Sequence, residues 1–148
     1  MYIKRAEENL IYNCTRMTDE IAETGDHKIV LVVEDDKFYS NIYKVKLAKE
    51  GIDARLANDG NQALELARQE KPDLVLLDLI MPGKDGFETL KEFKADPELK
   101  DVRIVILSNL SQEEDVKRVM DAGALDYLVK ANISLQDMVE HIKKYLAQ

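Results

Sequence analysis

The chain has 148 residues, enough for one domain with a substantial core but not comfortably two. Its formal charge of −8 argues against nucleic acid as a direct ligand, because a phosphate backbone demands a basic surface. No apolar run nears the ~20 residues that span a bilayer, no apolar stretch follows the charged N-terminus as in a secretory signal, and the lone Cys14 excludes a disulfide framework. These features predict a cytoplasmic protein with no membrane segment.

Residues 1–27 read differently from the rest and are expected to form an N-terminal extension, with a domain over 28–148. In the extension Leu10, Cys14, Met17 and Ile21 recur at alternating four- and three-residue spacing, and Ile3 continues the stripe. This predicts an amphipathic helix ended by Gly25. A seam that narrow suits a short coiled coil, so a homodimer through this helix is one expectation. Met17 would serve equally well as a start.

From Ile29 the pattern becomes regular. Ile29 to Val33 is an all-apolar strand running into Glu34-Asp35-Asp36. The next helix is expected to bury Phe38, Ile42, Val45 and Lys49, widened by Leu47 and Ala48, until Gly51 stops it. Ile52 to Ala57 alternates, as a strand nearer a sheet edge does. A helix with Ala63, Leu64 and Ala67 inward follows Gly60, and Pro72 closes it. Leu74 to Leu77 is an uninterrupted apolar run ending in Asp78, followed by the Pro/Gly-punctuated loop Met81-Pro82-Gly83-Lys84-Asp85-Gly86. Such a run fits a strand buried on both faces, the mark of a parallel sheet.

A third helix carries Phe87, Leu90 and Phe93 and ends at Asp96-Pro97. Ile104 to Leu107 is another buried strand. Ser111 is expected to cap the fourth helix, with Glu114 at the capping-box position and Val116, Val119 and Met120 as its inner face. Leu125 to Val129 reads as the fifth strand. Ser134 caps a last helix whose Leu135, Met138, Val139, Ile142 and Leu146 make one stripe. Five strands alternating with five helices, joined by right-handed crossovers, predict a doubly wound α/β domain.

The carboxyl edge of such a sheet is where ligands bind. The strands expected to reach it end in Glu34 and Asp35, in Asp78, in Ser108 and in Lys130. Converging carboxylates repel, and a divalent cation relieves that repulsion. An all-oxygen set suits Mg²⁺, which readily shares a phosphate with the protein. Each residue alone has a bland reading, Lys130 as a solvated strand end and Ser108 as a turn residue. Their joint arrival at one edge is what points to phosphoryl chemistry.

Val32-Val33-Glu34-Asp35-Asp36, Asp78 to Gly86, Leu107-Ser108 and Tyr127-Leu128-Val129-Lys130 resemble the response-regulator receiver domain of two-component signalling, from roughly Lys28 to the C-terminus. The resemblance implies a flavodoxin-like (βα)5 fold with strand order 2-1-3-4-5. It implies that Asp78 accepts a phosphoryl group from a sensor histidine kinase or a histidine phosphotransfer protein. It implies that Asp35 holds Mg²⁺ directly and Glu34 through water, together with Asp78 and the backbone carbonyl of Ile80. Ser108 and Lys130 would bind phosphoryl oxygens, with Ser108 and Tyr127 as the switch pair. The face of the fourth helix, fifth strand and fifth helix would then change shape for a downstream protein target. A relay to a histidine phosphotransfer protein is the alternative output, since no further domain is expected after Gln148. The implied protein accepts the group without being a turnover enzyme.

Three positions depart from the family pattern. Ala131 stands where a cis proline is usual, and a trans Lys130–Ala131 peptide is expected because a non-proline cis bond costs ~2.5–4 kcal/mol. Asn109 follows Ser108 where a small residue is common, and Ser108 replaces threonine. Among other classes on this fold, an FMN binder would need a phosphate-cradling loop where Glu34-Asp35-Asp36 instead repels phosphate. An aspartate-nucleophile phosphatase or dehalogenase would carry a second acid where Ile80 stands. A phosphorylation-independent interaction module would not need the complete acidic set with Ser108 and Lys130.

Overall fold

The computed structural model describes residues 27–148, and the amphipathic stripe and homodimer expected of the extension lie outside them. Five strands, β1 (Ile29–Val33), β2 (Asp53–Ala57), β3 (Leu74–Leu77), β4 (Arg103–Ser108) and β5 (Asp126–Val129), alternate with five helices. These are α1 (Lys37–Lys49), α2 (Gly60–Gln69), α3 (Gly86–Ala95), α4 (Glu113–Asp121) and α5 (Leu135–Leu146). The strands form one sheet in the order β2-β1-β3-β4-β5, and every pairing is parallel. This is the flavodoxin-like topology that the sequence implied. No described helix is long and apolar enough to cross a membrane.

The apolar runs are explained by their two faces. Leu31, Val33, Val75, Leu77, Ile104 and Ile106 point into a core with Ala63 and Leu64 of α2, Leu90 and Phe93 of α3 and Val119 of α4. Their alternates Val30, Val32, Leu74, Leu76, Val105 and Leu107 meet Tyr43 and Leu47 of α1 and Met138, Val139 and Ile142 of α5. With both faces covered, no position in the central strands has a solvent side to make polar.

Helix starts follow side-chain capping. Asp36, Asp59, Asp85 and Ser134 each accept from an amide in the first turn of their helix. Two expectations are corrected. Ser111 does not cap α4: the helix starts later, with Gln112 at the cap position and no side-chain cap bond. Its start is supported instead by Glu113, Glu114 and Asp115 against the helix dipole. Only Val119 of its expected face is buried, and Met120 is exposed. The second correction concerns α1, which buries Ser40, Tyr43 and Leu47, while Phe38 and Val45 are 69% and 56% exposed. Leu47 is buried as expected and Ile42 is half-buried against the core, but Phe38, Val45 and Lys49 look outward because the buried face is rotated toward Tyr43.

The loop after β3 is held close by Gly86, whose amide donates to the Leu79 carbonyl at 3.0 Å. A Cβ there would lie 2.6 Å from Leu79 Cα and would also crowd the Asp78 carbonyl oxygen. Gly86→Ala is therefore expected to destabilise the domain by ~1–3 kcal/mol through backbone displacement. Urea unfolding of the two proteins checks this, with an unchanged midpoint as the contrary result.

Candidate functional site

The sheet register brings the polar strand ends to one level. Val33 pairs with Leu77, so Glu34 and Asp78 follow side by side, and Asp78 N donates to Val33 O at 3.1 Å. Ser108 pairs with Val129, the residue before Lys130. Glu34, Asp78 and Ser108 are buried and Asp35 is exposed. Carboxylate oxygens of Glu34, Asp35 and Asp78 lie within 4.8 Å of one another. All donors in this group are oxygens from carboxylates, a set that fits a hard divalent cation.

Charge balance within this cluster has a second source. The Lys130 ammonium donates to Asp78 Oδ2 at 3.0 Å and also to Glu34 Oε2. The other Asp78 oxygen accepts from the Ile80 amide at 3.2 Å, and Glu34 Oε1 accepts from the Asp36 amide at 3.2 Å. Burial and the nearby negative charge of Asp78 push the Glu34 carboxyl above its usual range, although Lys130 opposes the shift. Burial pulls the Lys130 ammonium down, but its two carboxylate partners outweigh it and the net shift is upward. Lys130 is thus the countercharge of a buried acidic pair.

Aromatic residues of α1 complete this surround, and no motif in the sequence marked them. The Lys130 Nζ lies 5.1 Å from the centroid of the Tyr39 ring, which stacks on Tyr43 at 6.1 Å. Burial pushes the Tyr43 hydroxyl pKa up to about 12. A cavity of about 390 Å³ opens beside this pair and reaches Asn109, Lys130, Ala131 and Met138. The only sequence signal was the spacing of Tyr39 and Tyr43, a helical step apart and off the expected inner face.

Ser108 and Tyr127 are joined through the β4–α4 loop. The Leu110 amide approaches Ser108 Oγ at 3.4 Å, while the Tyr127 hydroxyl donates to the Leu110 carbonyl. Tyr127 packs against the core shared by α2, α3 and α4. Ile80 is 57% exposed and Leu110 half-buried. The Lys130–Ala131 peptide is trans, since no cis peptide occurs among the described residues, and Lys130–Asn132 forms a 3₁₀ turn.

Breaking a buried ion pair from one side leaves an uncompensated charge, typically at a cost of ~3–5 kcal/mol. Lys130→Met is expected to lose stability of about that order at neutral pH in metal-free buffer. Calorimetric and urea melts check this; a variant as stable as the parent would mean that the carboxylates are balanced without Lys130.

A family model described as the response regulator receiver domain matches residues 30–143. The chain is similar to the receiver domain of Francisella response regulator 1452, at 30% identity over 82% of this chain and 98% of that one, with a TM-score of 0.75. The BeF3-activated N-terminal receiver domain of Klebsiella pneumoniae RstA is similar at 29% identity, covering 82% of this chain and all 100% of that one, with a TM-score of 0.75. The Mn²⁺-bound form of response regulator Rcp1 is similar at 31% identity over 79% of this chain and 90% of that one, with a TM-score of 0.68.

Proposed function

Because this chain belongs to the response regulator receiver domain family, we propose that Asp78 is the carboxylate that takes a phosphoryl group from a phosphohistidine of a sensor histidine kinase or phosphotransfer protein. The observation that carries this reading is the position of Asp78 at the end of β3, buried beside Glu34 and Asp35 and bonded to Lys130. One Asp78 oxygen attacks phosphorus, the phosphorus–nitrogen bond of the donor breaks, and the imidazole leaves with its electron pair. The product is an acyl phosphate, so the chain is a phosphoryl acceptor rather than a turnover enzyme.

Mg²⁺ is the ion this donor set fits best, and Glu34, Asp35, Asp78 and the backbone carbonyl of Ile80 are the groups that would hold it. When bound it supplies the positive charge that lets two anions approach one another. Rcp1, a similar chain, has a Mn²⁺-bound form, which supports divalent-ion binding by this chain. On transfer Lys130 shifts its hydrogen bond from the acidic pair to a phosphoryl oxygen, and the Ser108 hydroxyl donates to another. The phosphoryl group adds about −1.5 to −2 charges, a pull on Ser108 that reaches Tyr127 through the Leu110 segment. The face of α4, β5 and α5 then changes for a downstream protein.

Asp78→Asn is expected to abolish acid-labile labelling by a small phosphodonor with Mg²⁺, because an amide cannot form an acyl phosphate. Mass measurement of the intact protein checks this, and equal labelling of parent and variant would overturn the assignment.

The lifetime of the product rests on Ile80 and Leu110, two residues beyond Asp78 and Ser108. Neither side chain can hydrogen-bond an attacking water, so loss of the group is slow. That persistence favours a relay to a histidine phosphotransfer protein as an output alongside direct binding of a target. Ile80→Asn is the cleaner test because Ile80 is exposed, whereas Leu110 packs on the core and its carbonyl holds Tyr127. This variant, alone or with Leu110→Glu, is expected to lose phosphate about tenfold faster, equivalent to ~1.4 kcal/mol. Release of inorganic phosphate over time gives the rates; a parent that clears its phosphate within seconds contradicts the reading.

A further inference from the structure

Lys130 is held on one side by charge and on another by an aromatic face. Its ammonium carries three N–H donors. Glu34 Oε2 and Asp78 Oδ2 accept from it, and its Nζ also lies 5.1 Å from the centroid of the Tyr39 ring. The face of an aromatic ring carries partial negative charge and attracts a cation at that distance. Tyr39 is therefore a third partner of Lys130, and it comes from α1 rather than from a strand end.

The ring is fixed from two sides. It stacks on Tyr43 at 6.1 Å with 29° between the planes, and Phe38 meets it edge-on at 5.7 Å. Tyr43 is in turn buried in the core between the sheet, α1 and α5. The other surroundings of Lys130 leave its stem room to move. Ala131, the next residue, is exposed and adds no bulk, and the cavity of about 390 Å³ opens beside the lysine. A lysine ammonium sits on a flexible four-carbon stem, which loses rotamer freedom whenever it is ordered.

We propose that Tyr39 is a positioning residue for phosphoryl transfer, its ring keeping the Lys130 ammonium over the acidic edge while the anions around it change. This role rests on the reading of Asp78 as the phosphoryl acceptor. In that reaction Lys130 exchanges a carboxylate for a phosphoryl oxygen, and during the exchange the ammonium has one anionic partner fewer. Without a ring beside it, the stem can turn into the neighbouring cavity and the ammonium can become hydrated there. With the ring, it pivots from one anion to the other about a contact that neither anion competes for. A charge held in place before the reaction stabilises the transfer without being reorganised during it. Tyr39 touches Lys130 rather than the reacting atoms, so its ring carries the role and its hydroxyl does not.

The test compares Tyr39→Leu, which keeps apolar bulk without a π face, with Tyr39→Phe, which keeps the face without the hydroxyl. Tyr39 is 41% exposed, so neither change opens the core. The first readout needs neither metal nor phosphate: the Hε protons of Lys130 in the NMR spectrum, identified by their loss in Lys130→Arg. In the parent and in Tyr39→Phe the ring current is expected to shift them upfield, and in Tyr39→Leu they move toward the exposed lysines. The second readout is the rate at which phosphoramidate labels Asp78 at saturating Mg²⁺, followed by intact mass. Tyr39→Leu is expected to be about fivefold slower than the parent, and Tyr39→Phe within about twofold of it. Lys130 protons that Tyr39→Leu does not move, or labelling of that variant at the parent rate, overturn the proposal and leave Asp78 as the acceptor. A Tyr39→Phe protein as slow as Tyr39→Leu overturns it too and assigns the effect to the hydroxyl. A parent that takes no label removes the acceptor reading itself, and the role of Tyr39 with it, whatever the proton shifts.

Discussion

The Lys130 ammonium shared between Asp78 and Glu34 is the interaction on which this edge of the molecule depends. Burial, with the Asp78 charge beside it, pushes the Glu34 carboxyl above its usual range, and Lys130 opposes that shift. A single cation from the end of β5 bridges β1 and β3 across the site. It holds the acidic pair in place, and its own burial makes it dependent on them in turn. In the proposed reaction an arriving phosphoryl group would compete for the same ammonium and so alter the link among three strands.

The rest of the site is positioned by backbone more than by side chains. The parallel register sets Glu34 level with Asp78 and Ser108 opposite Val129. Gly86 allows α3 to start close against the Asp78–Leu79 backbone. The β4–α4 loop is tied to both Ser108 and Tyr127, through the Leu110 amide near the first and the Leu110 carbonyl held by the second. The start of α4 has no side-chain cap and only Val119 of the helix is buried. That helix is a lightly anchored part of the surface that the proposed switch would move.

Helix α1 has two apolar faces with different tasks. Tyr43 and Leu47 close the core, and Tyr39 and Tyr43 wall the space beside Lys130. Phe38 and Val45 are exposed, while Ile42 between them is half-buried against that core. Because Phe38 meets Tyr39 edge-on at 5.7 Å, the outer stripe abuts the surround of the proposed phosphoryl site.

The sequence by itself determined the alternation of strands and helices, the parallel sheet and the identity of the polar strand ends. Uninterrupted runs such as Leu74 to Leu77 have few ways to be buried, and a carboxylate, hydroxyl or ammonium after each run must lie at one edge. The strand order came from resemblance, because parallel crossovers of similar length leave neighbours interchangeable. Tertiary structure alone decided how the buried face of α1 is rotated: Leu47 was expected inward, but only packing against β1, β2 and α5 brings Tyr43 in and leaves Phe38 and Val45 out. It also decided that Ser111 does not cap α4, since the loop from Ser108 to Gln112 is shaped by Ser108 and Tyr127 rather than by local capping. Finally, it decided that Lys130 meets both Glu34 and Asp78. That pairing joins residues 52 and 96 positions apart, and no periodicity in a chain encodes a contact made only when β1, β3 and β5 lie in one sheet.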